Sequence, residues 1–550
     1  MERIWEKNYD LHYERVRFPR MLIQDMLHCS AAVQPNKVAT DFFGTKITYH
    51  QLRTLSIKFA QALVGAGIKK GDRVCIQLPN SPQFVIAFFG TLMAGGIATL
   101  MNPLYTPDEV KHLINITNPV AFITFDMILP NHHDVLKASG VKVIVTKITD
   151  FIEGFPKGSA QELNLEKEWI YYSNAIDSIG TVSLPKIEIK PEDPAVIVFT
   201  GGTTGAPKGA VHTHFNIVGA TISTMEVGNY YIANMPLERT NIGVMPFFHV
   251  AGLIQCLCWG IFKPVTMYIV PRFDINDFMN LLARIDYITY FFAVPTLLTA
   301  LVNHHKAEEL ELDKKFGLVL SGAAPCPVPL INRMRDMGIY YIEAWGMTET
   351  AGIGICTPIF GIKKPGSIGI PMQESEVKIV DIEDGKTEVT LGTPGELVFR
   401  SPFLMKEYWN NKAETDNVIK DGWLYTGDIA TMDEDGYIFI VDRKKDMVIS
   451  GGYNVYPSEI DAVLMQHPKI DKAVSVGVPD AYRGETLKAY IVLKEGETAI
   501  ESEIIEFCKK HLASYKVPKL IEFRNELPTS AVGKILRKVL REEELQKVKK

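Results

Sequence analysis

The sequence predicts an α/β protein of more than one domain. Through the first two hundred residues, short apolar runs alternate with amphipathic helical patterns, the arrangement of parallel sheets layered with helices. A chain of 550 residues exceeds what one core serves. The charged run Asp442-Arg443-Lys444-Lys445-Asp446 separates a large N-terminal unit from a small lysine-rich one, and reads as a candidate linker.

The elements follow in order. Thr48 caps a predicted helix with Leu52, Leu55, Phe59 and Leu63 on one face, ended by Gly65 and Gly67. Asp72 to Leu78 reads as a strand. Ser81 to Thr106 lies within the longest uncharged stretch. It is expected to be a buried helix and then a buried strand. A membrane span is disfavoured because Pro82 opens the helix, while Gly95-Gly96 and Pro103 break the remainder. Thr106-Pro107-Asp108-Glu109 starts another helix by N-cap and N1 proline. Val120 to Phe125 and Val141 to Thr146 are short strands, and Ala195 to Phe199 is a buried one. Turns and strands around Lys364 to Gly369 and Gly395 to Val398 mark a β-rich subdomain. Ser450 to Lys550 reads as a small α+β domain.

Composition bounds the function. The net charge of -6 gives no footprint for nucleic acid. The N-terminus, Met1 to Lys7, mixes both charge signs and lacks an apolar core, so no signal peptide is expected and a cytoplasmic location is. The seven cysteines are scattered and odd in number. Cys256-Leu257-Cys258 lacks the spacing and the second pair of a zinc site, so neither a structural metal nor an obligatory disulfide is expected.

The chemistry begins at Thr200 to Gly209, where the apolar strand gives way to four glycines, three threonines and a lysine within ten residues. Glycines let backbone N–H groups turn toward a ligand, hydroxyls add donors, and Lys208 adds a positive charge, a set that suits a polyphosphate. A Walker A loop is disfavoured: it needs Gly-Lys followed by Ser or Thr, and here Pro207 precedes Lys208 and Gly209 follows it.

This loop resembles the phosphate loop of the adenylate-forming superfamily of acyl-CoA synthetases, luciferases and peptide-synthetase adenylation domains. Gly201 stands where Ser is common, a form associated with fatty acid–CoA ligases. Further motifs follow in family order: Pro246-Phe247-Phe248-His249, Ser321-Gly322-Ala323-Ala324-Pro325, and Glu343-Ala344-Trp345-Gly346-Met347-Thr348-Glu349. Then come Trp423-Leu424-Tyr425-Thr426-Gly427-Asp428, Asp442 to Asp446, Ser450-Gly451-Gly452-Tyr453, and Pro528-Thr529-Ser530-Ala531-Val532-Gly533-Lys534. Alone, each has a plain reading: a core histidine, a tight turn, a solvated loop carboxylate, a turn aspartate, a charged surface loop, a surface lysine. Together they span Thr200 to Lys538, and the sequence is most similar to long-chain fatty acid–CoA ligases.

The resemblance implies a role for each residue. Thr200, Gly201, Gly202, Thr203, Thr204, Gly205 and Lys208 would hold ATP phosphates. Gly322, Ala323, Ala324, Glu343, Ala344, Trp345, Gly346 and Met347 would hold adenine, with Trp345, in place of the usual Tyr, stacking on it. Thr348 would donate to the α-phosphate, and Thr200 and Glu349 would hold Mg²⁺. Asp428 would accept from both ribose hydroxyls, with Ile440 and Arg443 beside the nucleotide. His249, Val250, Gly322, Trp345 and Gly346 would border the acyl group. Gly451, Gly452 and Tyr453 would pass the pantetheine of coenzyme A. Lys534 would bridge carboxylate and phosphate oxygens. The catalytic set is Lys534, Thr348, Glu349 and His249. The fold implied is a large domain, 1–442, of layered α/β subdomains plus the β-rich one, and a small mobile domain, 443–550, hinged at 442–446 with Lys445 as pivot.

The implied reaction takes a fatty acid and Mg·ATP to acyl-AMP and pyrophosphate, then acyl-AMP and coenzyme A to acyl-CoA and AMP. An aryl-CoA ligase, a luciferase-like oxygenase and a catalytically inactive acyl-nucleotide binding protein are the alternatives. A peptide-synthetase domain is disfavoured by the short chain left after Lys538. Expected partners are the small-molecule substrates; peripheral membrane contact and a homodimer stay open.

Overall fold

The structure is a computed structural model that describes residues 3–9, 17–152, 165–200, 207–233, 239–450, 453–480, 484–530 and 535–548. Its α/β class is as the alternation predicts. A nine-stranded sheet runs in the order Ile370–Pro371, Gly352–Cys356, Tyr341–Met347, Phe316–Ser321, Ile288–Ala293, Thr240–Gly243, Thr266–Ile269, Val38–Phe42, Thr45–Thr48. Its six central strands are parallel and antiparallel pairs close both ends. An eight-stranded sheet runs Glu407–Tyr408, Gly209–Thr213, Pro194–Phe199, Ile97–Leu100, Arg73–Ile76, Ala121–Phe125, Lys142–Thr146, Ile170–Tyr171.

Local chemistry explains the elements between them. Thr48 accepts from Gln51 N while the Gln51 side chain returns to Thr48 N, a reciprocal cap that starts Tyr49–Gly65. Thr106 and Glu109 do the same for Pro107–Thr117. Pro82–Met93 is buried along its whole length, because it has no charged residue to keep wet, and Ile97–Leu100 follows it into the second sheet. Tyr49–Gly65, Pro82–Met93 and His214–Ala233 pack into one core with both sheets, while Pro107–Thr117 packs into a second core with Ile97, Phe122 and Val143. All seven cysteines are free thiols and only Cys29 is exposed. Among the described residues no helix is long and apolar enough to cross a membrane.

A third sheet, wholly antiparallel, joins Glu376–Val380, Gly395–Arg400, Trp423–Met432 and Ile419–Lys420, with Ile438–Arg443 paired to Trp423–Met432. It is the β-rich subdomain. A fourth sheet of five strands has its own core of Val448, Val455, Ile460, Leu464, Leu487, Ile491 and Ile504. Chain passes from the third sheet to the fourth through the Lys444–Asp446 turn, between Ile438–Arg443 and Val448–Ser450.

Candidate active site

Several of the residues singled out in the sequence converge where the first three sheets meet. Thr200 N donates to Lys208 O (2.9 Å) and Lys208 N to Thr200 Oγ1 (3.3 Å), so the two ends of the phosphate-loop motif are clasped. Gly201, Gly202, Thr203, Thr204, Gly205, Gly451, Gly452 and Lys534 lie outside the described residues, as does the side chain of Tyr453.

Segment Glu407–Tyr408 pairs antiparallel with Gly209–Thr213, directly after Lys208. Met405 N donates to Glu349 O at 2.8 Å. These backbone bonds carry Tyr408 to Glu349, and its phenol donates to Glu349 Oε1 at 2.5 Å. Glu349 is buried, which raises its carboxyl above the usual range; the Tyr408 donor and the charges of Arg443 and Lys208 oppose that rise. Lys208 Nζ forms an ion pair with Glu414 and lies 5.2 Å from the Tyr408 ring centroid. Buried carboxylate and threonine hydroxyl are hard oxygen donors, so Glu349 and Thr200 fit Mg²⁺ by ligand type. A cation there would favour the ionised form that burial disfavours.

Asp428 occupies a second centre, also buried. Cross-strand register sets it opposite Arg443, whose Nε sits 2.9 Å from Asp428 Oδ1. Trp345 Nε1 donates to Asp428 Oδ2 at 2.8 Å. Trp345 is expected to be a stacking surface and Arg443 a nucleotide contact; in the structure the Trp345 indole is hydrogen-bonded to Asp428 and Arg443 is ion-paired with it. Ile440, two residues before Asp442, packs partly buried against the core that holds Trp345.

Trp345 also lines a narrow cavity of about 40 Å³ with Val250, Gly322 and Gly346, which were singled out for the acyl group, with Ala323 and Ala344, which were singled out for ATP, and with Gln255, Phe292 and Ile353, which were not singled out. Gly346 has to be glycine: a Cβ would stand 1.8 Å from Gly352 O, where Tyr341–Met347 meets Gly352–Cys356. Ala323 takes a positive φ of 66° in the turn after Phe316–Ser321. Gln255 is fixed by the Tyr290 hydroxyl, which donates to its Oε1 (2.8 Å), and by donating to Thr224 Oγ1 (3.2 Å). A lone buried glutamine in an apolar run was the available signal for it.

His249, expected to border the acyl group, immediately precedes Val250 and is not itself part of this lining. Pro246 O receives its N–H at 3.0 Å, and His249 O starts the next turn by accepting from Leu253 N at 2.8 Å. Gly252–Cys258 then winds as a π-helix, a widened turn frequent at functional sites. Burial pulls the His249 imidazole down to about 4, so it is neutral near pH 7. Met347 is the strand end before the Thr348–Thr350 turn, and Ala324 follows Ala323 in its own turn. Glu343 lies on the same strand as Trp345, and burial raises its carboxyl to about 7.

Lys445 faces a separate cavity of about 240 Å³, lined also by Asp446, Gly477, Arg537 and Lys538. Burial, aided by the Arg443 charge, pulls its amine down to about 8. Beside it Asp442 accepts from Ser458 N (2.8 Å), and Arg537 reaches Asp461 at 2.6 Å.

Comparisons with known proteins find matches over most of the chain. The model of the family described as AMP-binding enzyme matches residues 27–409, and that of the AMP-binding enzyme C-terminal domain matches 459–534. A long-chain-fatty-acid–CoA ligase of Bacillus subtilis (strain 168) is 38% identical over 562 residues, covering 98% of each chain. One of Escherichia coli O157:H7 is 36% identical, covering 100% of this chain and 99% of its own. A feruloyl-CoA synthase of Amycolatopsis is 29% identical over 92% of this chain and 96% of its own. Among solved structures, ATP-bound MatB from Rhodopseudomonas palustris superposes with a TM-score of 0.84 at 26% identity, covering 95% of this chain and 99% of that one.

Proposed function

The chain belongs to the AMP-binding enzyme family, and we infer that it is an AMP-forming fatty acid–CoA ligase. The observation that carries the reading is the meeting of two centres about one strand and its turn: Glu349 held by Tyr408, and Asp428 held by Trp345 and Arg443. One is built for the charge of a metal and phosphates, the other for hydroxyl donors.

In the proposed first half-reaction a fatty carboxylate oxygen attacks the α-phosphorus of ATP, and the bond to the β-phosphate bridging oxygen breaks. Two anions must approach, so fixed positive charge and donors lower the barrier. Lys208, the Thr348 hydroxyl and Lys534 are the proposed donors. Mg²⁺ held by Thr200 and Glu349 would neutralise phosphate charge. Neutral His249 would position the carboxylate without adding charge. In the second half-reaction the coenzyme A thiolate attacks the acyl carbon and AMP leaves, with Gly451, Gly452 and Tyr453 proposed along the thiol's path.

The proposed domain division is 1–442 and 443–550, with the 442–446 turn as hinge and Lys445 as pivot. Supporting it are the separate core of the fourth sheet and the single chain crossing at Lys444–Asp446. The acyl chain is proposed to enter beside Val250 and Gln255. The cavity there is below the roughly 300 Å³ that a drug-sized ligand needs, so lining side chains turn aside when a long chain binds. AMP release from ATP in the presence of coenzyme A, across acetate to palmitate and with benzoate, coumarate and ferulate, tests the reading. A maximum at a long aliphatic acid is expected. A maximum at an aromatic acid would overturn the substrate class and keep the mechanism.

A further inference from the structure

We propose that Trp345 is a positioning residue for ribose recognition. Its indole N–H holds the Asp428 carboxylate in the orientation that receives the ribose hydroxyls, and so sets the preference for ATP over deoxy nucleotides. This rests on the ATP-binding reading above and deepens it.

Asp428 is 3% exposed. A buried carboxylate without donors is costly, and one free to turn has to be ordered when ligand binds. Here neither applies. Trp345 Nε1 donates to Oδ2 at 2.8 Å, and the Arg443 guanidinium forms an ion pair with Oδ1, its Nε at 2.9 Å. Each carboxylate oxygen accepts along two lone-pair directions, so each keeps one for an incoming hydroxyl. The orientation is therefore set before nucleotide arrives.

Trp345 is itself anchored. It lies on Tyr341–Met347, its ring stands 5.7 Å from that of Phe399, and it lines the cavity with Gly322 and Ala344. Tyrosine, the residue expected at this position of the motif, carries its one donor at the far tip of the ring. Indole carries it on the ring's flank, where Asp428 is. The substitution that reads in sequence as one stacking surface for another thus adds a donor.

The test is pyrophosphate exchange into ATP, 2′-deoxy-ATP and 3′-deoxy-ATP by the full chain and by Trp345→Phe, which keeps a flat apolar ring. In the variant, KM for ATP should rise about fivefold while KM for at least one deoxy nucleotide moves less than about twofold, as loss of one hydrogen-bonded partner predicts. Discrimination between them falls accordingly. An equal rise for all three nucleotides, or none, overturns the proposal. A crystal structure of the unmodified protein with AMP gives a second answer that needs no variant. The expected result is the indole N–H and a ribose hydroxyl on one carboxylate; an indole nitrogen beyond about 3.5 Å from Asp428 contradicts it. If the unmodified chain exchanges pyrophosphate into none of the nucleotides and AMP does not bind, the ATP reading itself fails, and this proposal with it.

Discussion

The Tyr408 hydroxyl donates to Glu349 Oε1 at 2.5 Å, joining residues 59 apart in sequence. Lys208, paired with Glu414, lies 5.2 Å from the centroid of the same ring. One tyrosine thus touches both the proposed metal carboxylate and the phosphate-loop cation.

Removing that hydroxyl should weaken adenylate formation in a pH-dependent way. Burial already raises the Glu349 carboxyl, and the Tyr408 donor is the largest effect opposing it. In Tyr408→Phe the carboxyl rises further and is protonated over a wider range. Exchange at the acid end of the assay range should fall about tenfold or more, in line with a lost hydrogen bond to a charged group, and the deficit should shrink as pH rises. A deficit independent of pH and of Mg²⁺ concentration would contradict the assignment.

In the proposed site Glu414 would compete with ATP for Lys208. Glu414→Gln frees the cation, so KM for ATP should fall about two- to fivefold with kcat little changed, and melting should shift little because a half-exposed ion pair contributes about 0–1 kcal/mol. A raised KM would show instead that Glu414 holds Lys208 in its working position.

Glu343 should leave a mark on stability. Its folded carboxyl titrates at about 7 because of burial, against 4.5 for the ordinary group. The folded state therefore binds more protons between those values. The contribution is fully present below the unfolded value and is lost as pH rises through the folded one. Urea denaturation of the unmodified chain minus that of Glu343→Gln should decline steadily from pH 4.5 to 7; parallel curves would contradict the burial argument.

Lys445→Pro should spare adenylate formation and suppress thioester formation, because proline fixes φ at the proposed pivot while leaving the first site untouched. Single-turnover assays of each half-reaction read this directly, and equal loss in both would rule out the hinge assignment.

The local features of this fold were legible and the long-range ones were not. Thr48 and Thr106 cap their helices through residues three positions on, and the uncharged run after Ser81 had nowhere to go but inside. Strand ends came out one or two residues shorter than read, as Arg73–Ile76 against Asp72 to Leu78 illustrates, because pairing with neighbours decides them. Motif order named Glu349, Asp428 and Lys208, yet it did not name what holds them. Trp345 and Asp428 are 83 residues apart, and Lys208 and Glu414 are 206 apart. Glu414 is a first-turn acid of Lys412–Val418, capped by Asn411, and that local role does not point to Lys208. Pairing between Glu407–Tyr408 and Gly209–Thr213, with the Met405–Glu349 backbone bond, brings Tyr408 to the site.

The most direct test of the central claim is exchange of labelled pyrophosphate into ATP without coenzyme A, driven by a fatty carboxylate. It isolates the half-reaction that Lys208, Glu349, Asp428 and Lys534 are proposed to perform. The account predicts exchange that depends on the acid and on Mg²⁺, rises from acetate to palmitate, and is lost in Lys534→Ala with ATP binding retained. ATP binding without acid-dependent exchange across the whole panel would contradict it, and would leave a nucleotide-binding protein in place of a ligase.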